Sequence, residues 1–506
     1  MSVFNRRLCG TALGLIVMSQ AAYADLTASE VWEDWRSYIA GFGNEITANE
    51  ALSGNVLTVT DLRIAMALPE GQGSGFISLE RLDFAENSDG TVSVSIPDTT
   101  RIVSSMTPQT GETVAYTVNV KQDGLEMTAA GTAAQIRYEY AADRIDMTLA
   151  ELILNGAVVP PQNAAFSASV LDIAGVTDMV MASMRNYSQS MTARSLTFDI
   201  KADTPENQSQ FAMTSAVQDV SYTGSGSVPL SVVQTSDMLS MLKSGFAVDG
   251  VFTLGAGNIS IAANSPDGKA DIATSSQGST IEVNMSADGV SYRIQQRQAL
   301  IDVSVPDLPF PLSLAMETAG VNLTMPIQKT DESSAFAFGF TLGNFTMSDG
   351  LWSIFDPAEK LPRDPATLVL DLTGKARLLF DFLDPSAAVV SGDPDITPAE
   401  IESLNINSLQ LKLVGAELTG TGAFAFENAP GGGMPKPEGA LNLKLVGGNG
   451  LLDNLVAGGL LPEQQAMSAR MMMGLFSVPS SEPDTLTSKI EVNREGHVIA
   501  NGQRIR

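Results

Sequence analysis

A chain of 506 residues with 29 Lys plus Arg against 57 Asp plus Glu has a formal net charge of −28, which excludes nucleic acid as a partner and makes anionic membrane surfaces repulsive. Hydrophobic residues at 44% and charged residues at only 17% exclude disorder and describe a chain with much apolar surface to bury. A single cysteine and a single histidine leave no disulfide framework and no thiolate metal centre.

The chain opens like an export signal. Arg6 and Arg7 form a basic start, Leu8 to Met18 is apolar, and Ala22-Tyr23-Ala24 before Asp25 is a small-x-small cleavage site. The apolar run falls short of the ~20 residues a spanning helix needs. Cleavage after Ala24 and release into the periplasm are therefore expected, with an uncleaved anchor as the alternative. Asn5 before the arginine pair and Leu8-Cys9-Gly10 after it suit the general secretory route better than the twin-arginine one. Cleavage would remove the only cysteine, Cys9, and leave 27 basic against 57 acidic residues, a net charge of −30. Such acidity keeps an exported protein dispersed; a cationic partner is the sharper reading.

Leu26 to Phe42 has the marks of an amphipathic helix. Thr27 and Glu30 have capping-box spacing, Val31, Trp32, Trp35, Ile39 and Phe42 recur at helical intervals, and Gly41 and Gly43 mark the stop. The tryptophans suit a core better than a membrane interface, because Glu33 and Asp34 lie beside them.

From Asn55 the period becomes two. Val56–Ile64, Gly75–Phe84, Thr91–Ile96, Val114–Val120, Leu125–Ala130, Ala134–Tyr140, Arg144–Leu149, Ser195–Lys201, Gln210–Ser215 and Val217–Tyr222 alternate apolar with polar and are separated by turn residues. Helical patterns interrupt them at Val170–Arg185, Ser236–Leu242, Leu351–Phe355 and Pro398–Leu404, the last behind the start signal Thr397-Pro398-Ala399-Glu400. A change of segment near Gly245–Gly257 divides the mature chain into 25–245 and 246–506, with strands resuming at Ile259–Ile261, Ser279–Met285 and Val290–Gln295. Pro306–Pro311 and Pro430–Pro437 read as loops or edge connections.

The last seventy residues read strand, helix, helix, hairpin. Leu441, Leu443 and Leu445 alternate with polar neighbours, Leu451–Ala457 is a short apolar helix, and a second helix opens at Pro462 and places Met467, Met471 and Leu475 on one face for burial. Leu486–Val492, a turn at Asn493–Gly496 and His497–Ile505 make a terminal hairpin.

No motif in the chain carries chemistry. His497, at the hairpin turn, has no partner in sequence, and Gly71–Gly75 and Gly255–Gly257 match neither a phosphate loop nor a nucleophile elbow. Asp393, Asp395 and Glu400 share an acidic stretch without the remaining ligand positions of a calcium loop, and Met471–Met473 have no partner cluster for copper. No catalytic, cofactor-binding or metal residue is nominated.

Glu438-Gly439-Ala440, Leu451–Leu455, Gly459-Leu460-Leu461-Pro462, the methionine-rich helix, the ending Glu495–Ile505, and Leu361-Pro362-Arg363-Asp364-Pro365-Ala366 upstream resemble the family known as domain of unknown function 2125. The resemblance implies an exported protein of a Gram-negative bacterium. The long run of alternating strands is also similar to AsmA-like envelope proteins, which implies an extended sheet that handles lipid. Neither family brings a catalytic motif to these positions.

The expectation is a mainly β protein, a long curved antiparallel sheet with short interspersed helices and a C-terminal helix-plus-hairpin module. Its function would be non-enzymatic, a periplasmic binding or structural role in which an apolar groove takes a lipid or another envelope component. An outer-membrane barrel or an unrecognised hydrolase is the alternative; against the barrel stand 6% aromatics, too few for two girdles, and the intervening helices.

Overall fold

A computed structural model describes residues 26–66, 74–107, 111–230, 238–308, 310–383, 398–429 and 433–506. The stretch read as an export signal, Asp393, Asp395 and Thr397 lie outside them. Among the described residues twenty-seven strands form one sheet, and its plan is an antiparallel meander in which each long strand pairs with the one before and the one after, as Met184–Thr204 does with Ala164–Met181 and Ser209–Pro229. At ~4.8 Å per row the sheet is on the order of 90 Å along its axis. Among the described residues the first strand, Glu45–Ser53, pairs only with Val56–Met66, so the sheet is open rather than closed into a barrel.

A line of irregular residues crosses the strands near their middles. Asp172, Asp219, Gln298 and Asn344 have positive φ inside strands, and pairing is omitted beside Asp172 and Asp219 while register is kept on either side. At this line the inward set changes parity. In Met184–Thr204 the inward side chains are Tyr187, Gln189, Met191 and Ala193, then Leu196, Phe198 and Ile200. Bending the strands here creases the sheet into a trough, with the cross-strand neighbours Ala193 and Val220, and Ala299 and Met316, buried along the crease. The outer face is polar. Arg137 pairs with Asp178 at 2.9 Å, Asn284 donates to Asp249 at 3.0 Å, and Asn407 donates to Asp371 at 3.3 Å.

The crease explains one correction and a register shift another. The helix expected at Val170–Arg185 is the strand Ala164–Met181 and the start of Met184–Thr204: the parity change at Asp172 separates the inward Val170 and Ile173 by three residues, an interval that imitates a helix. The helix expected at Pro398–Leu404 is part of the strand Ala399–Leu413, which has a register shift against Ala366–Leu378 where the pattern lost its alternation. Arg144–Leu149 and Ala134–Tyr140 are likewise two arms of one strand, Gln135–Leu154, as are Gln210–Ser215 and Val217–Tyr222. Strand pairing continues across 245–257, since Ser209–Pro229 pairs with both Ala247–Leu254 and Gly257–Ser265. The stretch before Pro437 belongs to the strand Gly433–Val446. Pairing of that strand with Thr485–Val492 stops at Gly439, so Pro437 has a strand partner on one side only, an edge position that proline tolerates.

Among the described residues five helices sit at the ends and rims of the trough. α1 (Ala28–Gly41) has the expected capping box, with the Glu30 N–H donating to Thr27 Oγ1 at 3.2 Å and the Thr27 N–H donating to Glu30 Oε2 at 2.9 Å. α2 (Met238–Lys243) and α3 (Asp349–Phe355) match their sequence patterns. α4 (Gly448–Ala457) has Gly447 at its N-cap, which contributes no side chain; Asp484 substitutes, accepting from the N–H groups of Asn449 and Gly450 at 3.1 and 3.0 Å. Burial works to raise the Asp484 carboxyl, but these donors outweigh it and hold it below its ordinary value. α5 (Glu463–Phe476) buries only Ala466 completely, while Met467, Met471 and Leu475 are 66%, 71% and 53% exposed. Burial of that face was expected and does not occur, because α5 packs on α4 through its other side, where Arg470 pairs with Asp453. Past the turn, Val498–Ala500 and Gln503–Arg504 are two short strands rather than one.

Candidate functional site

Among the described residues the inner face of the trough is apolar and mostly uncovered. Register places Tyr292, Leu323, Phe338 and Leu372 on consecutive strands in one cross-strand row, with Ile294, Val321, Phe340 and Leu370 in the next. Farther along, Leu411, Leu418 and Leu445 continue the lining. Leu323 and Leu411 are each 39% exposed and Phe338 is 38% exposed, so these side chains contact their neighbours without being sealed.

Glycine and aromatic residues pave this surface. A Cβ at Gly175 would lie 2.4 Å from Cζ of Tyr140, and one at Gly226 would lie 2.7 Å from Cζ of Tyr187, so each ring lies flat over a glycine on the neighbouring strand. Tyr222 lies in the same way against Gly224 and Gly250 and packs on Phe252, with ring centroids 4.5 Å apart. The result is a flat apolar floor with few projecting side chains.

At the N-terminal end the same face is filled by the chain itself. α1 lies on Leu57, Val59, Leu82, Phe84, Val92, Val94 and Ile136, placing Val31 and Trp32 in the buried core and Trp35 edge-on to Phe84 at 5.5 Å. A buried ionic latch holds it. Arg185 Nη2 is 2.7 Å from Asp34 Oδ1, 2.9 Å from the Asp34 carbonyl and 3.0 Å from Ser37 Oγ. Tyr138 donates its hydroxyl to Asp34 Oδ2 at 2.6 Å. Asp34, Arg185 and Tyr138 are all buried. Burial first, then the Asp34 charge, pushes the Tyr138 phenol far above its ordinary value. Beside the latch a pocket of about 300 Å³ opens toward the trough, lined by Trp35, Tyr38, Ile39, Tyr140, Thr177 and Met179 among others.

The rims carry further closures. α2 buries Leu239, Met241 and Leu242 and reaches across the rim to Asp381, 2.8 Å from Lys243 Nζ. Lys243, and then the Lys329 N–H, hold the Asp381 carboxyl below its ordinary value. On the opposite rim, α3 borders a second pocket of about 440 Å³, where Phe345, Met347, Trp352 and Leu413 meet Arg363. Arg363 pairs with Asp349 and lies 5.8 Å from the Trp352 ring.

His497 sits at the turn, its backbone N–H donating to Asn493 Oδ1 at 3.0 Å. Glu400 pairs with Arg377 on the adjacent strand. The latch was missed in sequence because Asp34, Tyr138 and Arg185 are far apart in the chain; the legible signals were an aspartate on the tryptophan face of the first helix and an arginine in an otherwise uncharged stretch.

No curated protein and no solved structure matches the chain. A family model described as "uncharacterized protein conserved in bacteria (DUF2125)" matches residues 250–502, the half of the chain that holds the second run of strands, α3 to α5 and most of the terminal hairpin. The chain therefore belongs to this family of uncharacterized bacterial proteins.

Proposed function

We propose that the protein is a non-enzymatic component of the bacterial cell envelope that holds apolar chains, such as the acyl chains of a lipid, in its trough. The observation that carries this reading is the uncovered inner face, on which large apolar side chains are about two-fifths exposed along consecutive strands while the outer face is polar. An exposed apolar surface of this extent costs free energy in water, at ~25 cal/mol per Å², and its persistence in a folded chain points to an occupant. An export signal at the N-terminus would place it in the periplasm.

The test is native mass spectrometry and lipid extraction of protein purified from its own envelope. A reproducible bound apolar molecule is expected, and a Leu323→Asp, Phe338→Asp variant should lose it while its melting transition changes little, since both positions are partly exposed. Wild-type protein that carries nothing apolar and takes up neither fatty acid nor phospholipid would end this reading.

A further inference from the structure

α1 occupies the apolar face that lies open elsewhere, so the trough is blocked at that end, and the pocket beside the latch is where an occupant must stop. The charged groups in its wall are already engaged with one another: Arg185 with Asp34 and Ser37, and the Tyr138 hydroxyl with Asp34. The Arg185 guanidinium also lies 5.0 Å from the Tyr38 ring, which takes the position a cationic headgroup would need between the ring and the carboxylate. What remains accessible in the wall is almost wholly apolar.

The pocket is continuous with the trough floor. Tyr140 lies flat over Gly175 at its edge, and Thr177 is in register with Gln189 on the next strand, whose inward neighbours are Tyr187 and Met191. Resting on the trough reading above, we propose that this pocket seats the methyl end of a linear acyl chain. The chain's polar head then lies away from α1, over the strands that follow. An apolar seat beside a buried ion pair accepts hydrocarbon without separating its charges, whereas a headgroup would have to displace Arg185 from Asp34.

The test uses fatty acids bearing a nitroxide either near the methyl end or beside the carboxyl, added to full-length protein with Trp352→Phe, so that Trp32 and Trp35 of α1 are the reporters. Occupancy is measured independently by native mass spectrometry. At equal occupancy the methyl-end label should quench α1 fluorescence several-fold more than the carboxyl-end label, and Thr177→Phe, which fills the pocket, should abolish that difference. Equal quenching, or stronger quenching from the carboxyl-end label, with acid bound overturns the orientation and leaves the trough reading intact. If neither acid binds, both readings fall together.

Discussion

Replacing Arg185 with leucine should loosen α1 from the trough. The substitution leaves the Asp34 carboxylate buried with the Tyr138 hydroxyl as its remaining hydrogen-bond donor, and removes the guanidinium's contacts with the Asp34 carbonyl and Ser37 Oγ. Removing one partner of a buried pair costs about 3–5 kcal/mol. Asp34→Leu alone should fall in the same range, because it strands the cation instead. The double variant Asp34→Leu, Arg185→Leu removes both charges and substitutes apolar volume, an exchange that is commonly neutral or stabilising. The two single changes should therefore be non-additive by several kcal/mol. Urea unfolding in the Trp352→Phe background, followed by fluorescence of Trp32 and Trp35, isolates α1, and far-ultraviolet circular dichroism follows the sheet. An Arg185→Leu protein that unfolds at the parental urea concentration, or single effects that add within about 0.5 kcal/mol, would refute the latch.

Met471→Asp should shift the melting temperature little, because the side chain is 71% exposed, whereas Phe84→Ala in the α1 core should cost about 3–5 kcal/mol; the paired melts check both. Gly175→Ala should destabilise by about 1–3 kcal/mol, because its Cβ would lie 2.4 Å from Tyr140, and a melt equal to the parent's would show that the ring is free to move. Asp83, Asp146, Asp381 and Asp484 all have carboxyls held below their ordinary values. Their stabilisation should be complete above the unfolded value of ~3.9 and be lost as pH falls from there through the lower folded values, which acid denaturation curves for their asparagine variants would show. Tyr138 is shifted the other way, so its contribution is complete below ~10 and is lost as pH rises beyond; the α1 fluorescence signal should therefore change in alkali before Tyr138 ionises.

Most of the strands and all five helices among the described residues were legible because their causes are local. The Thr27–Glu30 capping box, the alternation of Leu441, Leu443 and Leu445, and the Asn493–Gly496 turn each act within a few residues. The two false helices both follow from lost alternation, at the crease in one and at a register shift in the other. A single parity change at a crease is invisible to a period-two reading, and whether Val170 to Arg185 forms a strand is decided by its partners Gln135–Leu154 and Met184–Thr204.

By itself the sequence determined a β-rich, disulfide-free and acidic chain, because composition and alternation set the backbone's preferences before any long-range contact forms. Only the tertiary structure decided that the apolar halves of the strands face one another across a crease and remain uncovered, and that Met467, Met471 and Leu475 point outward. It also decided that Asp34, Tyr138 and Arg185 meet. Alternation sorts each strand into two faces, but which face is sealed depends on what packs against it, and that partner comes from elsewhere in the chain.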